Sequence, residues 1–276
     1  MVSTLAYLVY NLCGGDIPLS KTHPFVRDRT RAIRQDFTLQ NYRKAETVIC
    51  HEIIARFHIL SLHKLAKDTP DHFVAQQEIE QLQKTLTTLM ELYEDARLDG
   101  YNYDNEAEFR SYQIIAHIRD PDLQRQAQRW PSHIFSSVPV QMALKFFALI
   151  QANNRKQTNL GTKNTESCFN NFGTFFRLVR SKRVPYLMSC LLETHFSEVR
   201  KYALKAMRGV YRRDSKQILL KFIQETLAYE GEASLIADCD NYGLSYAMTD
   251  PDPGQEPESY LVIHKGKGPW TGNASS

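Results

Sequence analysis

No stretch of this sequence approaches the roughly eighteen uninterrupted apolar residues of a membrane-spanning helix, and none is expected. The start, Met1-Val2-Ser3-Thr4-Leu5, lacks the basic stretch ahead of an apolar run that a secretory signal requires. Cysteine is sparse. Cys13, Cys50, Cys168, Cys190 and Cys239 are odd in number, widely spaced and mostly set among apolar residues, which suits buried thiols in a reducing compartment better than a disulfide framework. The sequon-like Asn273-Ala274-Ser275 is then expected to be inert, in a protein of the cytosol or nucleus.

Catalytic signatures are missing as well. The chain holds no GxGxxG, no P-loop, no G-x-S-x-G and no spaced Cys/His cluster. His51-Glu52 opens like a zinc-protease helix, but that motif needs a second histidine four residues on, where the chain has Ala55. His51, His58 and His63 are therefore expected on or beside a packed helix face. Gly14-Gly15-Asp16 has no strand–helix context and reads as a turn. No enzyme activity, metal or cofactor is expected.

The composition, 42% hydrophobic and 24% charged over 276 residues, is that of an ordinary globular protein with a sizeable core. Its net charge of +3 conceals a segregation. Residues 177–221 hold twelve Lys/Arg against three acids, a net +9, which leaves −6 for the rest. Residues 222–258 then carry nine acids and no Lys or Arg. Basic charge collected in so short a stretch creates a local field whatever the average.

Periodicity predicts helices along most of the chain. A short one near residues 4–10 ends at Gly14-Gly15. Another over 24–40 starts at Pro24 and carries an apolar stripe of Val26, Thr30, Ile33 and Phe37. A third, 42–67, has Ile49, Ile53, Phe57 and Leu60 as its core stripe, and a fourth, 72–98, has Ile79, Leu82, Leu86, Leu89 and Tyr93 in register. Helices follow at 105–118, from Asp120-Pro121 to Trp130-Pro131, and at 140–152. The acidic residues along 71–108 read as solvated surface. Helix pairs joined by short loops through residue 180 suggest an irregular helical-repeat stack, mainly α in class.

Beyond it the pattern changes. An aromatic-rich helix over 167–179 and an apolar helix over 185–196 precede a basic helix capped by Ser197. The order then reads extended stretch at 216–218, helix 220–229, helix 231–242, strand 244–248, acidic loop 249–258 and strand 260–264. That is the order of a winged helix, expected over 181–270 after a stack at 1–180 and before a tail at 271–276. A DNA-reading winged helix places its third helix in the major groove, where it needs cations. Here 231–242 carries Glu232, Asp238 and Asp240 and no basic residue, so a duplex would repel it. The candidate nucleic-acid residues lie elsewhere: Arg180, Lys182, Arg183, Arg200, Lys201, Lys205, Arg208, Arg212 and Arg213. Together they would grip phosphates with little base preference. Leu235, Ile236, Tyr242 and Leu244, beside the acidic helix, are the candidate partner-binding residues.

The stretch Val26-Arg27-Asp28-Arg29-Thr30-Arg31-Ala32-Ile33-Arg34-Gln35-Asp36 resembles the signature helix of the SAC3/GANP family of messenger-RNA export scaffolds. The likeness continues through Cys50-His51-Glu52-Ile53-Ile54-Ala55-Arg56-Phe57-His58 and returns at Tyr242-Gly243-Leu244. Nothing specific matches in parts of 100–165. In that family a helical stack ends in a winged helix similar to the proteasome-lid/initiation-factor (PCI) module and pairs with another of its kind. The resemblance implies a scaffold of the TREX-2 messenger-RNA export complex on the nuclear side of the nuclear pore. The implied partners are a PCI-domain protein, a small acidic DSS-type peptide protein and RNA or DNA. It assigns Arg27, Asp28, Arg29, Arg31, Arg34 and Asp36 to a structural signature. No Phe-Gly repeats precede residue 1 and no long helix for centrin-like partners follows residue 276, so the chain is expected to be a middle region. Other subunits and the export receptor would then be met through regions absent here. The alternatives are an autonomous nucleic-acid-binding transcription regulator, a PCI-like scaffold of another complex, or a basic stretch that pairs only with an acidic protein.

Overall fold

The computed structural model describes residues 2–66, 73–120, 122–154, 171–210, 218–248 and 259–262. These are mainly helical, with three short strands among them. The chain divides into two compact units, Met1–Ala148 with Lys182–Thr194, and Leu149–Ser181 with His195–Ser276. This division differs from the boundary expected at 180/181, because the helix after Pro185 joins the first unit while residues 149–181 join the second.

The first unit is arranged around one helix. Helix α1 (Val2–Ala6) runs into π-helical turns at Tyr7–Leu12. It is followed by α2 (Leu19–Leu39), α3 (Ala45–Leu65) and α4 (Ala75–Leu98). Next come α5 (Glu106–Ala116), α6 (Leu123–Ala127), α7 (Ser132–Phe135) and α8 (Val138–Asn154), the last running into the second unit. Helix α9 (Phe172–Val179) belongs to the second unit, and α10 (Tyr186–Glu193) returns to the first. α1, α2, α4 and α10 all pack on α3, which is buried on nearly every side. The expected stripe is therefore only half right. Ile53 and Phe57 are buried, but Ile49 and Leu60 are 43% and 37% exposed, and Cys50, Ile54, Ala55, Ile59 and Leu62 supply the rest of the core. A helix enclosed from several directions no longer shows one stripe.

α2 starts five residues before the expected Pro24, which lies inside the helix. Its extra turn is held by burial of Thr22 and His23 rather than by intrinsic propensity. Val26, Thr30 and Phe37 are buried as the stripe predicts, and Ile33 packs half-buried against Leu5, Phe37, Cys50 and Ile53.

The acids of 71–108 are not all solvated. Glu78 and Glu106 are buried, and so is Glu52 on α3. Tyr93 and Asn105 donate to Glu52 at 2.7 and 2.8 Å. Arg56 reaches Glu108 through two nitrogens, at 3.1 and 2.7 Å, and lies 4.7 Å from the Phe109 ring centroid. Glu106 takes both Arg97 and Arg110. Buried carboxylates are tolerated because each is matched by cations or donors.

In the second unit, α11 (Phe196–Val210) precedes β1 (Ile218–Leu219), α12 (Leu220–Leu227), α13 (Glu232–Asn241), β2 (Ser245–Met248) and β3 (Ser259–Val262). The helix starts at Phe196, so Ser197 lies inside it rather than capping it. The strands form an antiparallel sheet in the order β1-β3-β2, with Ile218 and Tyr246 both opposite Leu261. α12 packs on β1, β3, α9 and α13. Phe175, Phe176 and Phe196 meet edge to face, so the aromatic stripe of α9 is core.

Tyr242-Gly243-Leu244 closes α13 by a Schellman turn. Leu244 N–H bonds to Cys239 O at 2.8 Å and Gly243 N–H to Asp240 O at 3.1 Å, with Gly243 at φ +64°. Gly100, at φ +84°, ends α4 in the same way. Both positions demand a left-handed backbone that glycine adopts without a steric penalty.

Candidate nucleic-acid and partner interface

The expected basic residues fall in both units. Arg180, Arg200, Lys201 and Lys205 belong to the second unit, and Lys182 and Arg183 to the first. Arg180, Lys182 and Arg183 are exposed, whereas Arg200, Lys201 and Lys205 are half-buried on α11. Arg212 and Arg213 lie outside the described residues, as does the side chain of Arg208.

Two of these cations are engaged in holding the second unit together. Arg180 donates to the Glu225 carbonyl on α12. Arg200 donates from Nε to Leu227 O at 3.1 Å and from Nη2 to Ala228 O at 2.5 Å. Its guanidinium also lies 4.0 Å from the Tyr229 ring centroid and 5.4 Å from that of Phe196. Arginine suits this place because its planar fork bonds two carbonyls while its faces stack on rings.

The candidate partner residues are mostly interior. Leu235 and Leu244 are buried in the core of the second unit, and Ile236 and Tyr242 are half-buried. The apolar surface expected of Leu235 and Leu244 is thus absent, because both pack inward from the two ends of the α13 turn. Large apolar side chains that are exposed in this unit are Leu219, Phe222 and Tyr246, which no periodicity argument singled out. On α13 itself, Asp238 accepts a 2.6 Å hydrogen bond from the Tyr229 hydroxyl. Burial, then Asp238 and Asp240, push the Cys239 thiol up to about 12. Cys13, Cys50 and Cys190 are also free, and Cys168 lies outside the described residues.

The signature residues sort into two groups. Asp28, Arg29, Arg31 and Asp36 are exposed on α2, while Arg27 and Arg34 reach α4. Arg27 Nη2 donates to Gln77 Oε1 at 3.0 Å and its Nε lies 3.7 Å from Glu78. Arg34 Nη2 donates to Gln81 Oε1 at 2.5 Å. Beneath them, His58 Nδ1 lies 2.6 Å from Glu78 Oε1, and His23 Nε2 sits 3.2 Å from the same oxygen. Burial pushes the Glu78 carboxyl up, but the two histidines outweigh it and hold it at about 2, while burial lowers His58. His51 is buried with Nδ1 2.8 Å from Thr47 O, and burial takes it down to about 4. His63 pairs with Glu193 of α10 at 2.5 Å. Among the described residues no group of three or more His, Cys, Asp or Glu side chains could hold a metal ion. No helix among them is long and apolar enough to cross a membrane.

The described residues define a mainly helical protein in which an arginine-bearing helix, α2, is seated on the buried carboxylate of Glu78. The SAC3/GANP family pattern matches residues 1–248, and the chain belongs to that family. It is 53% identical over 209 residues to SAC3 family protein 1 of Schizosaccharomyces pombe, covering 75% of this chain and 20% of that protein. Protein xmas of Drosophila melanogaster is 30% identical over 224 residues, covering 80% and 10%, and SAC3 family protein B of Arabidopsis thaliana is 30% identical over 192 residues, covering 67% and 10%. The chain thus spans a tenth to a fifth of these relatives' length.

Proposed function

We propose that this chain is a scaffold segment of a nuclear-pore-associated messenger-RNA export complex and has no catalytic role. Membership of the SAC3/GANP family carries this reading. The first unit is a helical stack built on α3, and the second is a winged helix of the PCI kind. The order of elements from α11 to β3 and the β1-β3-β2 sheet support the winged helix. It binds a PCI-domain partner and a small acidic peptide protein. The cations of 177–221 contribute to a surface for RNA or DNA, with the partner's basic residues completing it. Exposed Arg180, Lys182 and Arg183 and the half-buried Lys201 and Lys205 support that surface, while the acids of α13 speak against groove reading.

Two measurements test this. Co-expression with a PCI-domain subunit should give a stable one-to-one complex by gel filtration, and a chain indifferent to that subunit would remove the scaffold reading. Binding of labelled RNA to the complex should then be weak and steeply salt-dependent, each phosphate contact lowering log affinity by about 0.7 per decade of salt. Changing Lys201 and Lys205 to Asp should reduce it. Unchanged binding with the complex intact would leave the basic stretch to protein contacts alone.

A further inference from the structure

Helix seams in the first unit follow a rule that one seam breaks. Arg43 meets Glu91 and Asp95, Arg56 meets Glu108, Arg97 meets Glu106, and Arg110 meets Glu94. Where α2 meets α4, the arginine hydrogen bonds go to glutamine, Arg27 to Gln77 and Arg34 to Gln81, and the one carboxylate, Glu78, lies 3.7 Å from Arg27 Nε. Arg27, Arg31 and Arg34 stand at i, i+4 and i+7, within about 60° of one another and over about 10 Å of helix. On α4 the same spacing gives Gln77, Gln81 and Lys84, with Lys84 exposed. The carboxylate at this seam, Glu78, is 0% exposed and already engaged by His58 and His23. Arg34 Nε is buried with no hydrogen-bond partner, and burial and then Arg31 bring the group down to about 10. Arg27 and Arg34 thus share one interior carboxylate, and Arg31 stands exposed on the same face of α2.

We propose that the α2–α4 seam is a binding site for a phosphate monoester, carried as a phosphoserine or phosphothreonine on a segment of a partner protein. A dianion with three acceptor oxygens matches the surplus charge and the donors set along the seam, Arg27 and Arg31 with the amide nitrogens of Gln77 and Gln81. Guanidinium forks bind phosphate oxygens in pairs. A single carboxylate would leave most of these donors unmatched. A nucleic-acid strand fits less well. Its charge continues at one per phosphodiester, and beyond the seam it would meet the exposed Asp28, Asp36 and Glu80. The seam uses no residue of the basic stretch 177–221, and the proposal does not depend on nucleic-acid binding there.

The test uses the full chain with its partner subunit and three probes at matched ionic strength: inorganic phosphate, a short phosphoserine peptide, and an unstructured RNA oligomer. Binding is followed by the side-chain Nε–Hε resonances of arginine and by calorimetry. The phosphoserine peptide should bind saturably, at least tenfold more tightly than its unphosphorylated form and more tightly than inorganic phosphate. Arg31→Glu, an exposed change that leaves the Glu78 contacts in place, should abolish that preference without lowering Tm. Lys201→Asp with Lys205→Asp should leave it unchanged. The proposal is overturned if phosphorylation makes no difference, if the RNA oligomer displaces the peptide in an Arg31-dependent way at lower concentration, or if Arg31→Glu binds as well as the parent.

Discussion

Arg200 Nη2 donates to the carbonyl of Ala228, which ends α12 with a left-handed backbone at φ +56°, across 2.5 Å. A residue with a Cβ resists that conformation by about 1–2 kcal/mol, and here the carbonyl it presents is taken up by a guanidinium stacked on Tyr229. One cation of the basic stretch therefore shapes the second unit.

Arg200→Ala should destabilise the second unit by about 1–3 kcal/mol, since two carbonyls lose a charged donor and two rings lose their stacked partner. Arg200→Lys should recover less than half, lacking the fork. Ala228→Gly should act in the opposite direction, adding up to about 1 kcal/mol by relieving the left-handed position. Urea denaturation followed by circular dichroism checks all three, and equal stability of Ala and Lys variants with the parent would deny Arg200 this role.

Leu235→Ala should lower stability by about 2–5 kcal/mol through the cavity it leaves. The expected reading is a drop in Tm whether or not a partner is present. A variant with unchanged Tm that no longer binds the PCI-domain subunit would place Leu235 at an interface instead.

Glu78→Gln should cost about 3–5 kcal/mol, because it removes the anion that Arg27 and Arg34 share and His58 faces. Glu91→Gln, which touches only the exposed pair with Arg43, should cost less than about 1 kcal/mol. Chemical denaturation of both variants at neutral pH separates the cases, and similar small losses would mean the buried carboxylate is dispensable.

Stability should fall as the solution is acidified from neutrality. His51, at about 4, and the lowered His58 take up protons less readily folded than unfolded, so the unfolded state gains them first below about pH 6.5. For His51 the loss continues until pH nears 4, at up to about 1.4 kcal/mol per pH unit. Glu78, at about 2, stabilises above the ordinary carboxylate range and loses that contribution as pH drops from 4.5 toward 2. Both effects have the same sign. His51→Gln should flatten the slope between pH 6.5 and 4, and an unaltered slope would mean that His51 does not titrate with folding.

Local pattern alone made legible most of the helices, the three strands, the segregation of charge and the signature helix with its Val26, Thr30 and Phe37 stripe, because each rests on spacing within one element, whereas the short helix Ser132–Phe135 went unread. The Tyr242-Gly243-Leu244 exit was also readable, since a glycine just past a helix end announces a left-handed turn. Tertiary structure decided what depends on a second element. Ile49 and Leu60 turned outward because α3 is enclosed by neighbours whose positions no single-helix period encodes. Glu78 and Glu106, indistinguishable in sequence from surface acids, became interior because His58 and His23 meet the first, and Arg97 of α4 joins Arg110 of Glu106's own helix on the second. Leu235 and Leu244 went inward, and Arg200 became a structural clamp, for the same reason. Whether a side chain is core, clamp or surface depends on what lies opposite it, and that partner is named only when the chain has folded.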